Sequence, residues 1–76
     1  MYQGTLEGSF SANMESVRML TTMSRDESRK AIEAASRDDV EASSYHASQS
    51  KILLDASLRL LNEVQRLLDE GKTFQE

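Results

Sequence analysis

The stretch from Ser9 to Glu70 contains neither glycine nor proline, and this constrains the chain more than any other feature. The only glycines are Gly4, Gly8 and Gly71, and the chain has no proline. These two residue types are the strongest helix breakers. The intervening sequence is rich in alanine, leucine, arginine and glutamate, which favour helix. The pattern therefore predicts an all-α chain.

The first helix is expected to begin after a short N-terminal tail at about 1–10. Ser9 or Ser11 can cap it, because a serine hydroxyl accepts a hydrogen bond from a free backbone N–H. The helix then continues through about 11–36 without an internal breaker. We expect it to be one arm of an antiparallel helical hairpin that spans 11–71.

A turn at about 37–38 is predicted to separate the two helices. Asp38, with Glu41 three residues later, resembles a capping box. The second helix is then expected at about 39–70, closed by Gly71 in a left-handed conformation and followed by a C-terminal tail at 72–76. Because no glycine or proline stands at the turn, a continuous helix in an open or swapped dimer remains the alternative.

The second helix carries an apolar arc that is wider than one neighbouring helix needs. At about 100° per residue the arc spans roughly 200°, whereas packing against one helix takes roughly 100°. One edge consists of Leu53, Ala56, Leu60, Val64 and Leu67, and the other of Leu54, Leu58, Leu61 and Leu68. The first helix can cover one edge. The other edge then requires a second chain.

The first helix is poorer in large apolar side chains, which cluster near its start. Farther along, its face consists of small residues, among them Ser24, Ser28, Ala31 and Ala35. Small residues permit close approach but bury little area, so we expect a tight bend and an apolar open end. The residues expected to bind protein partners are Phe10, Met14, Val17, Leu20, Met23, Leu53, Leu54, Leu58, Leu60, Leu61, Val64, Leu67 and Leu68.

Composition argues against several other kinds of function. The net charge of −4 and the absence of a basic cluster argue against nucleic-acid binding as the function. No apolar run approaches the roughly 20 residues of a membrane span, and the first ten residues do not resemble a cleavable signal peptide. The chain has no cysteine, which removes disulfides and is compatible with a cytoplasmic location.

The residues offer little for catalysis. His46 is the only histidine, and we interpret it as an exposed helical residue beside Tyr45. Asp26 and Glu27 are explained by ion pairs to Arg29 and Lys30. The chain has no phosphate-binding glycine loop, calcium loop or zinc-binding helix motif. We therefore expect no enzymatic activity, no cofactor, no metal and no small-molecule substrate.

One segment resembles a known family. Residues 45–56, Tyr-His-Ala-Ser-Gln-Ser-Lys-Ile-Leu-Leu-Asp-Ala, lead into the aliphatic run at Leu58, Leu60, Leu61 and Val64. This is similar to the second helix of the small helical-hairpin co-chaperones that guard the needle subunit in bacterial type III secretion. The resemblance implies a cytoplasmic protein that pairs with a second, repeat-like chaperone and sequesters the needle subunit. The longer N-terminal tail and the serine-rich middle depart from the family pattern.

Two main functional hypotheses follow from the sequence. The first is a co-chaperone or adaptor that binds a different protein through its apolar helix face. The second is a homodimeric four-helix bundle in which a second copy covers the leucines. A third, an acidic regulator that occupies a basic site on another protein, depends only on the net charge.

Overall fold

The computed structural model describes residues 10–70, and this part of the chain is a two-helix hairpin. Helix α1 runs over Phe10–Ser36 and helix α2 over Val40–Asp69. The two pack antiparallel into a rod of 52 × 17 × 15 Å. The predicted all-α helical hairpin is thus confirmed, and the continuous helix is not formed. The N-terminal tail before Phe10, the closure at Gly71 and the C-terminal tail lie outside the described residues.

The turn reverses the chain with an aspartate in the place that glycine usually takes. Asp38 has a φ of 58°, the only positive value at a non-glycine residue in the described part of the chain. The Asp39 N–H donates to the Ala34 carbonyl at 2.9 Å, and the Asp38 N–H donates to the Ala35 carbonyl at 3.0 Å. This pair of bonds is the Schellman arrangement, which ends a helix with one left-handed residue. Aspartate tolerates that conformation better than most residues.

The cap of the second helix is Asp39, so the capping box predicted at Asp38 is wrong. The Asp39 carboxylate accepts a hydrogen bond from the Ala42 N–H at 3.2 Å. Asp38 is already committed to the left-handed turn, and its neighbour therefore takes the capping position. Glu41 lies in the first turn of α2, where its negative charge interacts favourably with the positive end of the helix dipole.

The seam between the helices follows a seven-residue repeat. Seven residues are close to two helical turns, so positions at that spacing lie along one line of a helix. On α1 the buried residues are Val17, Ser24, Ala31 and Ala34; on α2 they are Ser50, Ser57, Val64 and Leu67. The small residues thus lie at the turn end and the middle, and the large ones lie at the open end. This confirms the predicted gradient along the hairpin, although Ala34, not Ala35, is buried.

Serine hydroxyls link the two helices across the middle of the seam. The Ser24 hydroxyl donates to the Ser50 carbonyl, and the Ser50 hydroxyl donates to the Ser24 carbonyl, both at 2.9 Å. Ser28 Oγ lies 2.6 Å from Ser50 Oγ and donates to it, because the Ser50 proton is already used. Nearer the turn, the Ser43 hydroxyl donates to the Ala31 carbonyl at 2.9 Å. These bonds fix the register, with Ser24 opposite Ser50.

The same seam contains one buried hydroxyl without a partner. Ser57 is 0% exposed, and its Oγ makes no hydrogen bond. A buried polar group that loses its bonds to water and gains none costs free energy. Ser57 therefore weakens the hairpin at the point where the serine-lined part of the seam gives way to Val64 and Leu67.

We predict that the turn depends on the left-handed conformation of Asp38. The variant Asp38→Val should lower the free energy of unfolding by about 1–2 kcal/mol, because a β-branched residue is strained at positive φ. Asp38→Gly should raise it by about 0.5 kcal/mol, since glycine adopts this conformation without strain. Urea unfolding followed by circular dichroism measures both. Arg37→Val is the matched control, and a loss as large in this variant would contradict the prediction.

We also predict that Ser57→Ala stabilises the hairpin. Removing an unpaired buried hydroxyl should raise the free energy of unfolding by about 1–2 kcal/mol. Ser48→Ala controls for the higher helix propensity of alanine, because Ser48 is exposed on the same helix. The comparison is made by thermal unfolding of both variants. Equal gains in the two would mean that the Ser57 hydroxyl carries no penalty.

Candidate interaction surface

Packing within the hairpin leaves one edge of the leucine arc open to solvent. Leu54, Leu58 and Leu68 remain 45%, 48% and 45% exposed. Leu61, on the same edge, is half-buried. The opposite edge faces α1, and its residues are buried or half-buried, apart from the exposed Ala56. The first helix therefore covers one edge of the arc and leaves most of the other exposed, in line with the prediction.

The open edge carries a line of uncharged residues along the whole of α2. Val40, Ala47, Leu54, Leu61 and Leu68 follow one another at seven-residue intervals, and none is charged. Val40 is 77% exposed at the turn end. At a rise of 1.5 Å per residue this line is about 42 Å long. The partner-facing edge of α2 is therefore continuous from the turn to the open end.

Helix α1 contributes a parallel line to the same side of the hairpin. This line consists of Met14, Thr21, Ser28 and Ala35, again at seven-residue intervals and again without charge. A shallow cavity of about 300 Å³ near the turn joins the two lines, and its lining includes Ala35, Val40 and Ala47 together with the charged Asp38. We call this side the uncharged face, defined as Met14, Thr21, Ser28 and Ala35 on α1 with Val40, Ala47, Leu54, Leu61 and Leu68 on α2.

The other side of the hairpin is polar and carries ion pairs. Nδ1 of His46 and Oε1 of Glu27 lie 2.6 Å apart across the two helices. The Lys30 ammonium lies 3.3 Å from the Glu27 carboxylate. Farther along, the Arg66 guanidinium pairs with Glu63 and Glu70. The two sides of one hairpin therefore differ in character, and only one offers a continuous apolar surface.

The thirteen residues predicted to bind partners are divided between the seam and the surface. Val17, Val64 and Leu67 are buried between the helices, while Leu20, Leu53 and Leu60 are half-buried. Met14 and Leu61 are half-buried on the uncharged face, which Leu54 and Leu68 share and Leu58 borders. Phe10 is 39% exposed and Met23 is 49% exposed, but neither belongs to the uncharged face.

Sequence reasoning did not include three members of the uncharged face that lie near the turn. Val40, Ala47 and Ala35 are all exposed and uncharged. The signal that identifies Val40 and Ala47 is the seven-residue spacing to Leu54. It is visible in the sequence but was outweighed there by the larger side chains at the open end.

His46 is half-buried and paired, in contrast to the exposed residue that the sequence predicted. Its ring packs edge-on against Tyr45, with ring centroids 5.1 Å apart. The hydrogen bond with His46, assisted by Lys30, lowers the pKa of the Glu27 carboxyl from its ordinary value of 4.5. The predicted ion pairs of the neighbouring residues are present, from Arg29 to Asp26 and from Lys30 to Glu27.

Within residues 10–70, no group of three or more acidic, histidine or cysteine side chains has the arrangement of a metal site. No helix in this range is both long and apolar enough to cross a membrane. A scan against protein-family models found no match to the chain, nor did searches of curated proteins and of solved structures. The uncharged face is the candidate functional site.

We predict that the pair between Glu27 and His46 makes the stability depend on pH. A lowered pKa in the folded chain means that the unfolded chain binds the proton more readily, so stability is lost as the pH falls from about 4.5 through the folded value. Glu27→Gln should therefore lose less thermal stability than the unaltered protein between pH 5.5 and 3. Glu41→Gln is the control and should change the pH dependence less, because Glu41 is exposed, forms no ion pair within the described residues and loses only its weaker interaction with the helix dipole. Parallel stability curves for Glu27→Gln and the unaltered protein would contradict this prediction.

Proposed function

We propose that this protein is a non-enzymatic protein-interaction module that binds helices of partner proteins on its uncharged face. The observation that carries the proposal is the exposed apolar line from Val40 to Leu68, which no charge interrupts. Continuous exposed apolar surface of this kind marks binding sites in proteins. The other side carries the ion pairs of Glu27 and Arg66 and has no comparable apolar line.

The energetics of the hairpin support a requirement for a partner. Its buried apolar residues are Val17, Ala31, Ala34, Val64 and Leu67, and two of these five are alanines. Fully burying a leucine contributes about 1.5–3 kcal/mol, so covering the exposed half of each open leucine adds about 1 kcal/mol. A chain of this size gains little from its own core. A partner that buries the uncharged face therefore contributes a substantial part of the total stability of the hairpin.

The shape of the face favours an amphipathic helix as the bound element. Small side chains on α1, such as Thr21, Ser28 and Ala35, form one wall, and the leucines of α2 form the other. A helix that presents apolar residues at intervals of three, four and seven fits such a groove. Apart from Asp38, which lines the cavity near the turn, no charged group lies on the face. Specificity therefore has to come mainly from shape and from the flanking residues.

The more specific form of the proposal is a cytoplasmic co-chaperone of the type III secretion needle subunit. It is supported by the resemblance of residues 45–56 and by the hairpin organisation. In this role the uncharged face would dock on a second, repeat-like chaperone or on the needle subunit. Co-expression with a needle subunit and its repeat-like chaperone tests this form, and the expected result is a stable ternary complex that remains soluble. A hairpin that purifies alone in this experiment argues against the co-chaperone role.

We predict that Leu58→Asp weakens partner binding by about tenfold or more, because it removes about 1 kcal/mol of apolar burial and also introduces a charge that must be desolvated. Leu58 is 48% exposed, so the hairpin should still fold. The measurement is a pull-down from the source cell, followed by titration of the recovered protein. Ile52→Asp is the matched control, since Ile52 is 60% exposed on a different face of the same helix.

The two variants together test the position of the surface. A partner that is retained by Ile52→Asp and lost by Leu58→Asp supports binding at the uncharged face and its border at Leu58. Loss in both variants, or in Ile52→Asp alone, places the interaction elsewhere on the hairpin. Circular dichroism of each variant verifies that helix content is preserved.

A further inference from the structure

We propose that, without a partner, the uncharged face is occupied by a second copy of this chain. In this homodimer the two α2 helices run antiparallel about a two-fold axis that passes near Leu54. The inference rests on the proposed function, because it assigns an occupant to the same face. It also adds a consequence: self-association and partner binding exclude each other, since both need this face.

The side-chain sizes along α2 favour this arrangement. A two-fold axis at Leu54 brings residues together in pairs whose numbers add to 108. Leu54 then meets its own copy, Ala47 meets Leu61, and Val40 meets Leu68. Each large residue away from the axis thus faces a smaller one, which allows the two lines to interdigitate. An isologous interface requires this kind of self-complementarity.

The charges nearest the axis on α2 are self-complementary, whereas at each end of the line the axis sets Asp38 of one copy opposite Glu70 of the other. Lys51 and Asp55 lie on either side of the axis, one turn apart, and neither forms an ion pair within the described residues. The two-fold operation places Lys51 of each copy beside Asp55 of the other, offset by about two residues or about 3 Å. The dimer would therefore contain two symmetric ion pairs at this edge.

The same axis also pairs opposite charges on α1. Because Ser24 lies opposite Ser50 and Ala31 lies opposite Ser43, the position on α1 that matches Leu54 is residue 20. Arg25 and Glu15 stand five residues on either side of it. The axis derived from α2 thus brings Arg25 of one copy beside Glu15 of the other. Arg25 forms no ion pair among residues 10–70, whereas Glu15 is paired with Arg18.

The area of the face suits a stable dimer. The apolar line on α2 is about 42 Å long, and the hairpin is 15 Å across its narrowest dimension. The flat projection is therefore roughly 600 Å², and the side chains make the true contact surface larger. Specific protein interfaces bury about 800 Å² on each partner. A second hairpin covers a face of this size, whereas one short helix covers only part of it.

Disulfide trapping of the full-length chain tests the arrangement. The chain has no cysteine, so any crosslink comes from an introduced residue. Under mild oxidation, Leu54→Cys should form a covalent dimer in high yield, because the two thiols meet at the axis. Ile52→Cys is the control and should remain largely uncrosslinked.

Sedimentation of the unaltered protein should show a monomer–dimer equilibrium. A monomer at all concentrations up to about 100 μM, or equal crosslinking of the two variants, overturns the proposal.

Charge reversal supplies a test that leaves the apolar residues unchanged. Lys51→Glu and Asp55→Lys should each raise the dissociation constant by about threefold to tenfold, because each places like charges opposite one another twice. Mixing the two single variants should restore association, since an acidic copy then meets a basic one. Restoration in the mixture requires a contact between chains and cannot arise within one helix. A mixture no tighter than either variant alone refutes the antiparallel pairing.

Partner binding separates this inference from the proposed function. A chain that is monomeric in sedimentation but loses its partner through Leu58→Asp refutes the homodimer and leaves the interaction module standing. A dimer trapped at Leu54 that dissociates when the partner is added supports both. A partner that binds the crosslinked dimer as tightly as it binds the reduced protein refutes occupation of one shared face.

Discussion

The close approach of the two helices along a seam of small residues is the constraint on which the rest of the structure depends. Serines and alanines occupy most of the buried positions between the turn and Ser57, and reciprocal hydroxyl-to-carbonyl bonds at Ser24 and Ser50 fix the register. Such a seam specifies how the helices align but buries little apolar area. The hairpin is therefore well defined in geometry and poor in hydrophobic stabilisation, and this leaves the leucines of α2 as the main unused source of binding energy.

The polar groups reinforce the difference between the two sides of the hairpin. Glu27, His46 and Lys30 form their contacts on one side, together with the Arg66 ion pairs. The other side presents two parallel lines of uncharged residues. The leucine part of this surface can accept a partner with little desolvation of charge, which is a large cost when charged groups are buried. The proposed adaptor role and the proposed homodimer both depend on this property. They differ in whether a partner protein or a second copy of the chain buries the face.

Much of this arrangement could be predicted from the residues. The absence of breakers predicted the helices, and the width of the leucine arc predicted that α1 would cover only one of its edges. The cap was misplaced by one residue, because the sequence does not reveal that Asp38 adopts a left-handed conformation and passes the capping role to Asp39. His46 was interpreted as exposed because its partner, Glu27, is distant in sequence and becomes adjacent only across the hairpin.

The sequence by itself determined the helical class, the apolar arc and its excess width, since these follow from local propensity and from the angular period of one helix. Only the tertiary structure decided which leucines remain available. The register set by Ser24 and Ser50 buries Val64 and Leu67 in the seam. It leaves Leu54, Leu58 and Leu68 half-exposed. Rotation of one helix about its axis relative to another depends on contacts between residues far apart in the chain, and no local pattern encodes it.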